Sequence, residues 1–162
     1  MTDPVMDDDS PPAPVYRRSS APSPRLTADM RATFVASSVW EERAEVALQP
    51  DLSLELIARL VVDENEDVRQ MVYNIHRDIP SGLLEAALAN HPEDAPSIAF
   101  QEEAPLAALR VKPFNFATRA DIERYLLATA ADPDLARKFR SIAKTSSNAM
   151  VTLDELMTSV RP

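Results

Sequence analysis

The apolar positions in the middle of the chain follow a helical period and come in pairs of short segments. In 66-EDVRQMVYNIHRDIPSGLLEAALANH-91 they recur every three or four residues, first over 66–76 and again over 81–89. The stripes consist of Val68, Met71, Val72 and Ile75 in the first segment and of Leu83, Leu84, Ala87 and Leu88 in the second. Pro80 lies between them, at a position that suits a first helical turn. The pattern therefore predicts two short amphipathic helices joined by a corner, with Asp63 and Asp67 as capping residues.

The same pair of segments occurs once before in the chain. When 40–64 is placed over 66–91, the offset is 26 before the corner and 27 after it, and such an insertion in a loop costs little. The aligned pairs are Arg43 with Arg69, Val46 with Val72, Leu52 with Ile79, Leu56 with Leu83, Ile57 with Leu84 and Asp63 with Asn90. A third, divergent copy follows, in which Ala99-Phe100 align with Val72-Tyr73. Because one such unit cannot bury its apolar stripes alone, successive units are expected to stack into a helical solenoid.

The repeated unit resembles a known family. An Asp followed six residues later by an Arg, with Val before that Arg (Asp63, Val68-Arg69), then a Pro corner and paired leucines, resembles the variant leucine-rich repeat, a relative of HEAT-like repeats. The resemblance covers 37–92 closely and 93–112 loosely. It implies a short right-handed superhelix of α and 3₁₀ segments. Some members carry an iron–sulfur cluster on a Cys-rich segment, and this chain has no Cys.

Three positions depart from the family pattern. Ser37 stands where the next unit has Asp63, Tyr73 replaces a small Ala, and Asn74-Ile75-His76 replaces an Asn-Pro run. Departures from a repeat pattern are better candidates for function than recurrent positions, because recurrence usually follows the needs of the scaffold.

The flanks of the repeat differ from it in composition. Residues 1–26 are acidic and Pro-rich and lack a helical or alternating period, so we interpret them as a disordered arm. Its short segment Val15-Tyr16-Arg17-Arg18 suggests partner binding, and a simple solubilising tail is the alternative. Thr27 is the predicted N-cap that begins the repeat domain, 27–112. Residues 113–162 predict a small helical cap on the repeat, with N-caps at Thr118 and Thr152 and a helix that begins at Pro133.

The charge is unevenly distributed. The net charge of −9 divides into −1 over residues 1–40, −11 over 41–103 and +3 over 104–162. Such a distribution steers a basic partner to the acidic centre and an anionic partner to the C-terminal part. The alternative is that these charges belong to ordinary solvated helix surfaces.

The residue content argues against catalysis, cofactors and metals. With no Cys and one Gly, the chain lacks thiolate ligands, a Gly-rich phosphate loop and a GxSxG elbow. His76 and His91 are 15 residues apart, without a zinc-binding spacing. No apolar run reaches the length of a membrane span, and the N-terminus does not resemble a signal peptide. We therefore expect a non-enzymatic cytoplasmic protein with no cofactor and no membrane contact, and the excess of Arg over Lys suggests a bacterial source.

The candidate partner-binding residues are four polar side chains on one side of the predicted helix 66–76: Arg69, Tyr73, His76 and Arg77. One helix row of a solenoid lines its concave surface, and such surfaces bind partners. The alternative for Arg69 is a structural ion pair with Asp63 or a neighbouring acid, which its recurrence as Arg43 favours. The sequence thus indicates a protein–protein interaction adaptor or regulator that binds another protein, one with a basic surface, on an acidic helical-repeat surface.

The alternative function is a nucleic-acid-associated regulator that uses the basic helix 133–145. Its candidate contacts are Arg137, Lys138, Arg140 and Lys144. Two features oppose this alternative. The whole chain is acidic, and Asp154 and Glu155 begin the last helix, where phosphates or bases would lie.

Overall fold

The computed structural model of the chain describes residues 24–145 and 150–161. Within these residues it contains ten α-helices, two 3₁₀ helices and no β-strand, which confirms the prediction of an all-α protein. The α-helices are α1 (Ala28–Phe34), α2 (Trp40–Ala47), α3 (Leu54–Leu60), α4 (Glu66–Ile75), α5 (Ser81–Asn90), α6 (Ala95–Ile98), α7 (Leu106–Arg110), α8 (Arg119–Thr129), α9 (Pro133–Thr145) and α10 (Leu153–Val160). The 3₁₀ helices are Pro92–Asp94 and Phe114–Phe116.

Most helix starts follow the capping chemistry of the sequence. The Thr27 side chain caps α1, and both Thr118 and Thr152 form complete capping boxes at α8 and α10. Pro133 is the first residue of α9, as predicted. At α4 the prediction of Asp63 and Asp67 as caps is wrong, because the cap is Asn65. Pro80 is the N-cap of α5 rather than a residue of its first turn.

The first core joins α1 to α7. Helix α2 packs against α1, α3 and α4, and α4 packs in turn against α3 and α6. The buried apolar side chains include Leu26, Val35, Val46, Leu60, Val68, Val72, Ile79, Leu84, Ala87, Ile98 and Ala108. Leu26 belongs to this core although the sequence analysis places it in the arm. Its backbone N–H donates to Gln49 Oε1 at 3.1 Å, which fixes the entry of the chain into the fold.

A second core lies between α8, α9 and α10. It consists of Tyr125, Leu126, Leu135, Phe139, Leu153, Leu156, Met157 and Val160. Helix α7 connects the two cores, because Ala108 belongs to the first and Leu106 packs against the second. Two backbone hydrogen bonds reinforce the junction, from Phe114 N to Val151 O at 2.8 Å and from Leu153 N to Lys112 O at 3.1 Å.

The predicted disorder of the arm concerns residues 1–23, which lie outside the described residues, as does the segment Val15-Tyr16-Arg17-Arg18. Residues 24–26 are described and lead into α1. Among the described residues, no helix has the length and apolar character needed to cross a membrane.

Candidate interaction surface

Two arginines at corresponding positions of the repeat form buried ion pairs. Arg43 donates from Nε and Nη2 to the Asp63 carboxylate at 2.7 and 2.9 Å, and from Nη1 to the Ser37 carbonyl at 2.9 Å. Arg69 repeats this arrangement with the Asp94 carboxylate at 2.6 and 3.1 Å and the Asp63 carbonyl at 2.9 Å. The hydrogen bonds to Asp63 and Asp94 raise the pKa of each arginine. Arg69 therefore joins α4 to the 3₁₀ helix Pro92–Asp94, and its carboxylate partners are Asp94 and Glu93 rather than Asp63.

Tyr73 is part of the same buried network. Its side chain is 1% exposed, and its single hydroxyl proton is shared between two acceptors, Asp94 Oδ2 at 3.1 Å and the Val61 carbonyl at 3.3 Å. Burial and the Asp94 carboxylate together raise the pKa of Tyr73, so the hydroxyl stays protonated as a donor. The replacement of a small Ala by Tyr thus has a structural reason, which is to add a hydrogen bond to a buried carboxylate.

His76 occupies one of three equivalent buried polar positions. Gln49, His76 and Gln101 each follow the end of a helix (α2, α4 and α6) and are at most 6% exposed. The two glutamines reach the backbone of a preceding segment. Gln101 Nε2 donates to the Tyr73 carbonyl at 2.7 Å, and Gln49 Nε2 donates to the Pro24 carbonyl at 3.2 Å. Burial lowers the pKa of His76, and its Nε2 has no hydrogen-bond partner among the described residues.

The expectation that Arg69, Tyr73, His76 and Arg77 share an accessible face is wrong for the first three, which are buried. Helices α2, α3 and α6 pack against α4, and the side of α4 that carries Arg69, Tyr73 and His76 is buried, whereas Asn74 and Ile75 are exposed. Arg77 alone is exposed, and its carbonyl accepts a hydrogen bond from Glu102 N at 3.1 Å. Side chains that meet a partner must therefore come from other positions.

A third buried ion pair lies where the two cores meet. Lys112 Nζ donates to Asp121 Oδ2 at 2.7 Å, and both side chains are about 5% exposed. Burial alone would raise the pKa of Asp121, but hydrogen bonds from Lys112, Thr118 and Arg124 lower it. The Thr118 backbone and hydroxyl both donate to this carboxylate, so it serves as ion-pair partner and helix cap at once.

The internal ion pairs leave the surface of 41–103 strongly acidic. This region has fifteen acidic residues and four arginines. Asp63 and Asp94 are internal partners of Arg43 and Arg69, which leaves thirteen acids and only two arginines for the surface. None of those thirteen acids is buried. Four of them lie close together near Arg69, in the first turn of α4 and the adjoining loops: Glu64, Glu66, Asp67 and Glu93.

Two of the four basic residues of α9 pair with acidic side chains. Arg140 forms two hydrogen bonds to the Glu123 carboxylate, at 3.1 and 2.7 Å, and Arg137 pairs with Asp134. Lys138 is exposed and pairs with no described acid, and the Lys144 side chain lies outside the described residues. Two of the four predicted nucleic-acid contacts are thus already engaged.

The described residues contain no cluster of three or more His, Cys, Asp or Glu side chains that could hold a metal ion. Two large depressions are open and shallow. One lies between α8 and α9 and is lined by Leu127, Ala130 and Pro133, and the other lies between α1 and α3.

No protein-family model matches the chain, and no curated protein or solved structure matches it either. The resemblance to variant leucine-rich repeats therefore rests on the residue pattern in 37–112, and any function rests on the geometry of the chain itself.

Proposed function

We propose that this protein is a non-catalytic adaptor or regulator of the bacterial cytoplasm that binds another protein on an acidic helical-repeat surface. The observation that carries this proposal is the separation of charge. Thirteen unburied acids and two arginines remain on 41–103 once Arg43 and Arg69 are paired internally with Asp63 and Asp94. A surface of one sign attracts a partner of the opposite sign and accelerates their association.

We infer a short right-handed solenoid of variant leucine-rich or HEAT-like units as the scaffold, as the resemblance of 37–112 implies, and the packing order of the helices supports stacked units. The first helices of successive units, α2, α4 and α6, pack in order, and α3, α5 and α7 follow them as second helices. The ion pairs of Arg43 and Arg69 connect neighbouring units in the same way. Such scaffolds present extended surfaces suited to binding.

The proposal is tested by affinity capture from a native bacterial extract with two matched variants. The first neutralises the acidic cluster (Glu64→Gln/Glu66→Gln/Asp67→Asn), and the second neutralises α9 (Arg137→Gln/Lys138→Gln). These side chains are all exposed, so thermal unfolding should confirm that both variants remain folded. The capture is repeated with nuclease and at about 50 and 200 mM salt, because interactions of exposed charges weaken with ionic strength.

We expect a nuclease-resistant, salt-sensitive partner that the first variant loses and the second retains. Recovery that disappears with nuclease and with the α9 variant would instead favour the nucleic-acid alternative, in which 133–145 binds phosphates. Equal capture by the parent and by the acidic-cluster variant would contradict the proposal.

A further inference from the structure

The corners after α2, α4 and α6 have the same four-residue pattern. Each consists of an apolar residue, a buried Gln or His, a variable residue and an exposed acid. The corners are Leu48-Gln49-Pro50-Asp51, Ile75-His76-Arg77-Asp78 and Phe100-Gln101-Glu102-Glu103. In all three, the N-cap of the next helix (Ser53, Pro80 and Pro105) follows two residues after the acid. The three corners are therefore equivalent, although their spacing along the chain changes from 27 to 25 residues.

The corners are also neighbours in space. Helices α2 and α4, which lead into the first and second corners, pack against each other. The third corner is joined to the second by a hydrogen bond from Glu102 N to Arg77 O at 3.1 Å. Next to it, Ser81 N donates to Glu103 Oε2 at 3.1 Å. Equivalent residues of the three corners consequently form rows across one edge of the fold.

The first row is apolar and faces water. Ile75 is 43% exposed and Phe100 is 42% exposed, whereas the residue that follows each of them is buried. Leu48 is half-buried, and Phe116 extends the row because its ring lies 5.7 Å from that of Phe100 in an edge-on arrangement. We call Leu48, Ile75, Phe100 and Phe116 the corner stripe. Single exposed apolar residues are common on proteins, but a row at equivalent positions indicates a contact surface.

Acidic residues flank the corner stripe. Asp51, Asp78 and Glu103 hold the fourth position of the corners and are all exposed, and Glu102 adds a further charge. Arg31 pairs with Asp51, but no described residue forms an ion pair with Asp78. The only basic side chain within the three corners is Arg77. The corner stripe therefore combines an apolar centre with an acidic edge, and it complements a segment that is apolar on one side and basic beside it.

We propose that the corner stripe binds an amphipathic helix of a partner protein, with Lys or Arg flanking its apolar face. This inference rests on the proposed function and adds an apolar docking site at the end of α4 opposite to Glu66 and Asp67 of the acidic cluster. Packed helices lie about 8–10 Å apart, so neighbouring corners should be separated by a similar distance. A helix advances 1.5 Å per residue, so about five to seven residues of the partner span one corner-to-corner step, and of these spacings seven returns to the same face of the helix. The partner helix thus presents apolar residues at positions i, i+7 and i+14, as in helix-in-groove recognition.

The test uses a fluorescein-labelled helical peptide with Leu on one face and Lys on the others, read by fluorescence anisotropy. A peptide of the same composition with a scrambled order is the control ligand. Ile75→Ser/Phe100→Ser should weaken binding of the amphipathic peptide at least 10-fold. Leu127→Ser, at an 89% exposed position on α8 outside the corners, should leave it unchanged. Asp78→Lys should also weaken binding of the amphipathic peptide, because a lysine replaces an acid that attracts the basic peptide. The binding that remains should depend less on salt concentration.

Three results would overturn the inference. The first is equal affinity of the parent and of Ile75→Ser/Phe100→Ser for the amphipathic peptide. If capture from the bacterial extract still depends on the acidic cluster in that case, the proposed function survives without this docking site. The second is failure of the full chain to bind the amphipathic peptide better than the scrambled one. The third is a dimer in light scattering that the Ile75→Ser/Phe100→Ser variant dissociates, because the stripe would then be covered by a second copy.

Discussion

Removal of the Asp94 carboxylate tests the buried network that connects the second and third units. Asp94→Ala deletes the acceptor of Arg69 Nε at 2.6 Å, of Arg69 Nη2 at 3.1 Å and of the Tyr73 hydroxyl at 3.1 Å. The side chains of Arg69 and Asp94 are only 3% and 1% exposed, so water does not readily replace the lost carboxylate. Breaking a buried ion pair by removing one partner costs about 3–5 kcal/mol.

The structure places the expected loss near the lower end of that range. Without Asp94, Arg69 still donates to the Asp63 carbonyl and keeps the exposed Glu93 carboxylate at 3.2 Å, and Tyr73 keeps the Val61 carbonyl. We therefore expect Asp94→Ala to lower the free energy of unfolding by about 3 kcal/mol. For a domain of this size, that loss corresponds to a decrease in Tm of roughly 6–12 °C.

Urea unfolding followed by circular dichroism measures this change. The matched control is Glu55→Ala, which removes an exposed i,i+4 pair with Arg59 and should cost no more than about 0.5 kcal/mol. The double replacement Arg69→Met/Asp94→Leu should be less destabilising than Asp94→Ala, because it leaves no unpaired buried charge. A loss below about 1 kcal/mol for Asp94→Ala, similar to that of Glu55→Ala, would refute the network as a source of stability.

Three further changes test other parts of the fold. Burial lowers the pKa of His76 below 6.5, so its neutral form contributes stability that is complete above about pH 6.5 and decreases as pH falls toward the folded pKa. His76→Gln introduces the residue type found at the equivalent position Gln101, which does not titrate. Stability of this variant should therefore depend less on pH between about pH 5 and 6.5, and an unchanged slope in that range would contradict the lowered pKa of His76. Thr152→Ala removes the hydroxyl that accepts from Glu155 N and should cost about 1 kcal/mol in urea unfolding, against no change for a Ser replacement. Phe139→Ala empties a fully buried position of the second core and should cost about 3–5 kcal/mol; a loss under 1 kcal/mol would mean that α9 is not packed as described.

Local chemistry explains why the helices were predictable from the sequence. The segments 66–76 and 81–89 correspond to α4 and α5, and Thr27, Thr118 and Thr152 are the N-caps that their side chains indicated. Such features depend on neighbours three or four residues apart, which a sequence displays directly.

The partners of buried polar groups were not predictable in the same way. The alignment of the repeat placed Asn90 opposite Asp63, but the 3₁₀ helix Pro92–Asp94 shifts that role to Asp94. A usable signal existed, because each recurrent arginine is followed about 20–25 residues later by a pair of adjacent acids, Asp63-Glu64 and Glu93-Asp94.

The burial of Tyr73 and His76 depends on contacts that lie far apart in the chain. Each position departs from the repeat pattern, which suggested exposure to a partner, but both side chains are buried, and Tyr73 donates its hydroxyl hydrogen bond to the buried Asp94 carboxylate. Comparing the corners rather than the helices would have shown that Gln49, His76 and Gln101 are equivalent. It would also have identified Ile75 and Phe100 as the recurrent apolar residues beside them.

Site-specific crosslinking tests most directly whether this acidic helical surface binds a protein. Phe100→p-benzoylphenylalanine places a photoreactive ring of similar shape on the corner stripe, and Leu127→p-benzoylphenylalanine places the same group on α8 as the control. After irradiation in bacterial cells, we expect a crosslinked protein at position 100 but not at 127, joined through a segment rich in Lys or Arg beside apolar residues. Identical crosslinked products at positions 100 and 127 would contradict the proposal that this surface binds a protein. So would the loss of every crosslinked product of position 100 after nuclease treatment.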